Sequence, residues 1–193
     1  MARCDKAGEI MRIAASHRPN VESAINLNIG CGKKLWPGFV NIDFASNWSG
    51  KKPDIECDVR DIPLPDDYAD NAYAIHVLEH FYRWETGDVL KEWVRVLKPG
   101  GTLVIEVPCM DKVMHLFNYY VKNKRPLNQQ ATLWRLYGDP DYRDPNMVHK
   151  WCFSVEELKG EMAAAGLNDV VYSEPEYHVK ECDMRISGVK NGR

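Results

Sequence analysis

Three groups of residues in this chain have types and spacings suited to chemistry. The first is Ile29-Gly30-Cys31-Gly32, followed by Asp43 and Asp58. Two glycines one residue apart let a backbone turn sharply and let a ligand approach without Cβ interference. In nucleotide-binding α/β sheets an acid closing the next strand accepts hydrogen bonds from ribose hydroxyls. Asp43 stands at that place, and Asp58, closing a third short run, is placed to meet an adenine amino group. The glycine pair alone reads better as a plain β-turn. The acids that end the next two runs tip the reading toward a binding site.

The second group is His76-Val77-Leu78-Glu79-His80, literally the H-x-x-E-H pattern of a zinc hydrolase. That chemistry needs both histidines on one helix face and a further ligand downstream. Here AYAIHV (Ala72–Val77) is a strand pattern, so the motif straddles a strand-to-helix corner and no metal is expected. Capping and packing at the corner, or contact with a cofactor or substrate, are the remaining roles. The third group, Val96–Leu103 (VLKPGGTL), is a helix end, a tight turn and a buried strand, with no chemistry of its own.

The elements that must position these groups alternate. Ala24–Ile29 (AINLNI), Phe39–Ile42 (FVNI), Asp54–Cys57 (DIEC), Ala72–Val77 and Gly101–Val107 (GTLVIEV) read as strands. Thr86–Leu97 is a helix, with Val89, Leu90, Trp93, Val94 and Leu97 on one face and Pro99-Gly100-Gly101 as the stop. A second helix starts at Ser154, where Ser154 and Glu157 have the spacing of a capping box. Asp169–Tyr172 and Arg185–Val189 close the chain as strands. The pattern predicts an α/β fold, a Rossmann-like and mostly parallel sheet with helices on both faces. Only CGKKLWPG separates the first two strands, so the first crossover helix is missing or cut to one turn. The link from Asp43 to Asp54 is also too short for a regular helix.

With 193 residues, the prior is one domain with a core large enough to need no staple. The net charge of −3 argues against a broad phosphate-binding surface, and so against long nucleic acids as partners. The six cysteines contain no CxxC pair. The first twenty residues hold no unbroken apolar run, and no segment is long and apolar enough to be a membrane anchor. A reducing cytoplasm is the expected setting. Residues 111–151 break the strand–helix rhythm and read as a lid-like insertion over the strand ends within one domain, 1–193. Its Phe117, Tyr119, Tyr120, Trp134, Tyr137, Tyr142 and Trp151 would form either an apolar, sugar-stacking lid or a small satellite core.

INLNIGCGKK, VNIDF, ECDVRDIPLPDDYADNAYAIHVLEHF and RVLKPGGTLVIEVPCMD, in this order, resemble the class I S-adenosylmethionine-dependent methyltransferases. The similarity is to the short branch with HVLEH and LKPGG motifs, and HKWCFSVEELKGEMAAAGL extends it. The resemblance implies S-adenosylmethionine as cofactor and a small-molecule or glycan acceptor. Gly30 and Gly32 would line the methionine part, Asp43 would hold the ribose, and Asp58 and Val59 would border the adenine, with Cys31 and Phe44 also in the cofactor site. His76 would sit beside the sulfonium or the substrate. One departure is Lys34, which stands where the family has a third glycine.

A hydroxyl acceptor must lose a proton, which calls for a general base. His80, Asp111 and His149 are the candidates, with His115 a further one in the same stretch. The shortened glycine loop leaves open a second reading, a protein that binds S-adenosylmethionine without catalysis. A zinc hydrolase built on HVLEH is a distant third.

Overall fold

The computed structural model describes residues 24–44 and 52–192. Seven strands form one sheet: β1 (Asn26–Ile29), β2 (Val40–Asp43), β3 (Ile55–Glu56), β4 (Ala69–Ile75), β5 (Leu97–Pro108), β6 (Leu167–Ser173) and β7 (Asp183–Lys190). Their spatial order is β3-β2-β1-β4-β5-β7-β6. The first five run parallel, and β7 pairs antiparallel with both β5 and β6. The strand order reverses between β1 and β4, the switch point where open α/β sheets bind ligands. The mostly parallel sheet with flanking helices is the fold expected from the alternation.

The helices are α1 (Thr86–Arg95), α2 (Met110–Lys122), α3 (Leu133–Tyr137) and α4 (Val155–Ala164). Helix α1 buries Val89, Leu90, Trp93 and Val94, the face the spacing predicts. Each such side chain contributes roughly 1.5–3 kcal/mol by leaving water. Trp93 also donates from Nε1 to the Val59 carbonyl at 3.0 Å, which ties the helix to the loop behind β3. Leu97 is not the last residue of this helix, as its spacing suggested. It opens β5 by pairing with Ala69, because Pro99 disfavours helical geometry at Lys98.

No helix lies between β1 and β2, as the short spacing predicts; residues 30–39 form turns. Asn28, buried on β1, holds them. Its amide donates to the Lys34 carbonyl at 2.8 Å and to Asn41 Oδ1 at 2.9 Å, and Asn41 in turn donates to Asp54 at 2.9 Å. Lys34 is not among the residues with positive φ, so the loop needs no glycine there. The expectation about the Asp43-to-Asp54 link falls on residues 45–51, outside the described residues. The first twenty residues also lie outside them.

Only half of the predicted capping box forms at α4. Ser154 accepts from the Glu157 amide at 3.2 Å. The Glu157 carboxylate instead pairs with Arg83 at 2.7 Å and accepts from the Trp151 indole.

Candidate active site

The carboxyl ends of β1, β2, β3 and β4 open into a cleft of about 620 Å³, within the range of small-molecule sites. Gly30, Cys31 and Gly32 line it after β1, Asp43 and Phe44 at the end of β2, Asp58 and Val59 after β3, and His76 after β4. The structure therefore brings all eight residues expected to hold a cofactor to one cavity.

Gly30 has φ +65°, and a Cβ there would stand 2.4 Å from Cγ2 of Val77. Both conditions demand glycine where β1 passes the end of β4. Asp43 holds the next turn: its Oδ2 accepts from the Gly32 amide at 2.7 Å and its Oδ1 from the Phe44 amide at 2.8 Å. The Asp58 carboxylate is gripped by Arg60 at 2.7 Å, and Arg60 also reaches Glu85. The Arg60 hydrogen bonds hold Asp58 below the usual carboxylate range, against a smaller effect of burial. Cys31 is no nucleophile: burial, then Asp43 and Asp54, push its thiol up to about 12.

Three histidines of the cleft lining, His76, His80 and His178, cluster with His149 behind it and with two buried carboxylates. His76 has φ +56°, a left-handed conformation that costs a non-glycine residue energy and that clusters at functional sites. Its Nδ1 is 2.8 Å from Glu79 Oε1 and its Nε2 3.5 Å from Asp183 Oδ2. Burial opposes its charge, but Glu79 and Asp183 outweigh burial and raise its pKa to about 9. Burial likewise opposes the Glu79 charge, and His76 overcomes it, holding the carboxyl at about 2. His178 packs against His76 with ring centroids 3.8 Å apart and the rings tilted by 35°. Burial and the neighbouring His76 push it down to about 4.

The three catalytic candidates separate. His80 lines the cleft, on the 3-10 turn Leu78–His80. Its Nδ1 lies 3.2 Å from the Val148 carbonyl. A carbonyl only accepts, so Nδ1 carries the hydrogen and Nε2 is left as the acceptor. His149 sits behind the cleft wall, with Nδ1 3.0 Å from the Arg135 carbonyl and Nε2 4.0 Å from Glu79 Oε1. Asp111 lies elsewhere: its Oδ2 accepts from the Val155 amide at 3.0 Å, at the start of α4. Asp111 and His115 instead border a shallow depression beside Glu174 and Lys180. The literal H-x-x-E-H motif does straddle a strand end and a 3-10 turn, so it lacks the helical spacing of a zinc hydrolase.

From residues 111–151, Tyr142, Asp144, Asn146, Met147 and Lys150 line the cleft. Of the seven aromatic side chains in that stretch, only Tyr142 does.

The reading of the sequence missed Tyr177 and His178, which also line the cleft. Glu106, fully buried on β5, accepts from the Glu176 amide at 2.7 Å and the Tyr177 amide at 3.1 Å, and pairs with Arg185 at 3.0 Å. Tyr177 then stacks on Trp36 at 4.7 Å. The one signal for this was an acid inside the otherwise apolar strand pattern of β5.

Residues 27–105 match the family model described as a methyltransferase domain. No curated protein matches the chain. Solved structures share its fold. One is a SAM-dependent methyltransferase, possibly a histamine N-methyltransferase, from Thermotoga maritima. It is 19% identical with a TM-score of 0.60, over 96% of this chain and 89% of that one. A SAM-dependent methyltransferase from Methanosarcina mazei is 18% identical with a TM-score of 0.60, over 92% and 97%. Human N-acetylserotonin methyltransferase, solved with SAM, is 16% identical with a TM-score of 0.56, over 97% and 52%.

Proposed function

We propose that this protein is an enzyme that uses S-adenosylmethionine as cofactor and methylates a hydroxyl of a small-molecule or glycan acceptor. The observation that carries this reading is the convergence of Gly30, Gly32, Asp43, Phe44, Val59 and His76 on one cleft at the switch point of the sheet. The residues fit the cofactor. A Cβ-free turn at Gly30 admits a close approach, Asp43 offers a carboxylate to a ribose, and Phe44 and Val59 offer apolar surface to a base. Asp58 borders the adenine while held by Arg60.

When bound, S-adenosylmethionine supplies an electrophilic methyl group whose bond to sulfur breaks as the acceptor oxygen attacks, leaving S-adenosylhomocysteine. The chain's own work is to align the two reactants and to take the hydroxyl proton. His80 is the base: the Val148 carbonyl fixes its tautomer and leaves Nε2 to accept. His178, held down to about 4, is a poor proton acceptor and serves instead as a neutral wall of the cleft. Residues 111–151 belong to the same domain and select the acceptor through Tyr142, Asn146 and Lys150. Among the described residues no helix is long and apolar enough to cross a membrane, and we place the protein in the cytoplasm.

Titration calorimetry with S-adenosylmethionine and S-adenosylhomocysteine, followed by transfer of a labelled methyl group across a panel of hydroxyl-bearing acceptors, tests this. Binding with turnover is the expected result. Binding with no turnover would leave a cofactor-binding protein, and no heat with either compound would sink both readings.

A further inference from the structure

We propose that His76, Glu79 and His149 form a binding site for a divalent transition metal ion, best suited to Zn²⁺, at the floor of the cleft. Glu79 is fully buried, and neither of its carboxylate oxygens has a well-aligned hydrogen-bond donor. His76 Nδ1 lies against Oε1, so the uncompensated oxygen is Oε2, and an acceptor-only atom in that position favours a further cation.

His149 faces the same oxygen. Its Nδ1 hydrogen is taken up by the Arg135 carbonyl, so Nε2 presents a lone pair to Glu79 Oε1 across 4.0 Å. A ring-nitrogen lone pair turned toward a carboxylate oxygen is an arrangement a metal ion bridges, taking the place of the proton that His76 Nδ1 now holds against that oxygen. The third member, His76 Nδ1, lies 2.8 Å from that oxygen, and the three ligand atoms all fall within 4.8 Å of one another. Zinc bonds of about 2.0–2.2 Å in a tetrahedron put ligand atoms about 3.4 Å apart. The observed 2.8 and 4.0 Å bracket that spacing, so small side-chain shifts seat the ion.

The outer contacts have the form that metal-binding histidines take. His149 puts its far nitrogen, Nδ1, on the Arg135 carbonyl, and His76 turns its far nitrogen toward Asp183 Oδ2, 3.5 Å away. The two segments carrying the ligands are tied together, because the Glu79 carbonyl accepts from the Lys150 amide at 2.7 Å. Two imidazoles and one carboxylate suit zinc rather than magnesium or calcium, which prefer oxygen ligands. The set is not the literal H-x-x-E-H pair. His80 is not one of the three ligands, and the second histidine, His149, lies 70 residues beyond Glu79 in the chain. Three protein ligands leave a coordination position, and His76 lines the cleft.

The test uses the full chain stripped with a chelator, then titrated with Co²⁺ and Zn²⁺. One equivalent should bind, with a cobalt visible spectrum that Zn²⁺ abolishes, and Zn²⁺ should raise the thermal midpoint. His149→Ala and Glu79→Gln, checked for folding by circular dichroism, should each weaken Zn²⁺ binding at least tenfold. X-ray absorption of the zinc-loaded wild-type protein should find two imidazoles, and it decides the matter if a variant does not fold. Substoichiometric binding, binding unchanged in both folded variants, or zinc without imidazole ligands would overturn the site. None of these readouts depends on methyl transfer, so the site and the proposed reaction stand or fall separately.

Discussion

His76 Nδ1 and Glu79 Oε1 lie 2.8 Å apart, the histidine just past the end of β4 and facing the cleft, the glutamate fully buried on the turn that follows. The pair sets a pH dependence. His76 has a folded pKa of about 9 against an ordinary 6.5, so its contribution is complete below 6.5 and is lost as pH rises through about 9. Stability measured by urea unfolding in metal-free buffer should therefore fall between pH 6.5 and 9, and Glu79→Gln should flatten that fall. Parallel pH profiles for the two proteins would refute the coupling.

On the acid side His178 acts first. Its folded pKa of about 4 lies below its ordinary 6.5, so its neutral form contributes stability that is lost as pH falls through that window. His178→Gln should reduce this early acid loss, and His149, whose pKa burial also lowers, should retain part of it. Below pH 4.5 a further fall follows as the carboxylates held low in the fold, Glu79 and Asp183 among them, take up protons. An unchanged acid limb in His178→Gln would show that the packed pair of imidazoles is not its origin.

Asp43→Ala should weaken S-adenosylmethionine binding more than tenfold in calorimetry, since it removes a ribose acceptor and frees the Gly32 amide. Asp43→Asn keeps an oxygen for that amide and should lose less. Equal affinity in wild type and Asp43→Ala would rule out the ribose assignment.

Gly30→Ala should destabilise the protein by about 1–3 kcal/mol, the usual range for overpacking. The new Cβ would collide with Val77. Adding Val77→Ala should recover part of the loss in thermal melts. No recovery would place the whole cost in the backbone conformation.

His80→Gln should lower turnover by about 10²–10⁴, the range for losing a general base, and leave cofactor affinity in place. Asp111→Ala should instead cost about 1 kcal/mol of stability through the lost contact at the start of α4, with turnover per folded molecule unchanged. A turnover loss in Asp111→Ala comparable to that of His80→Gln would reverse these roles.

Local pattern determined much of this protein. Alternating apolar runs specified the strands, the short gap between Gly30 and Asp43 ruled out a crossover helix, and the glycine pair with acids at the ends of the next two strands marked the cleft. These signals are legible because a strand's period, a turn's need for glycine and a strand end's position are set by residues close in the chain. Tertiary structure alone decided the rest. His149 meets Glu79 and the Glu176–His178 segment meets Glu106 across about 70 positions, distances over which spacing carries no information. Asp111 and His80 looked equivalent as acids or bases in sequence. Folding spent one on a helix terminus and turned the other toward the cleft, because the partner of a polar side chain is chosen by packing and not by its neighbours in the chain.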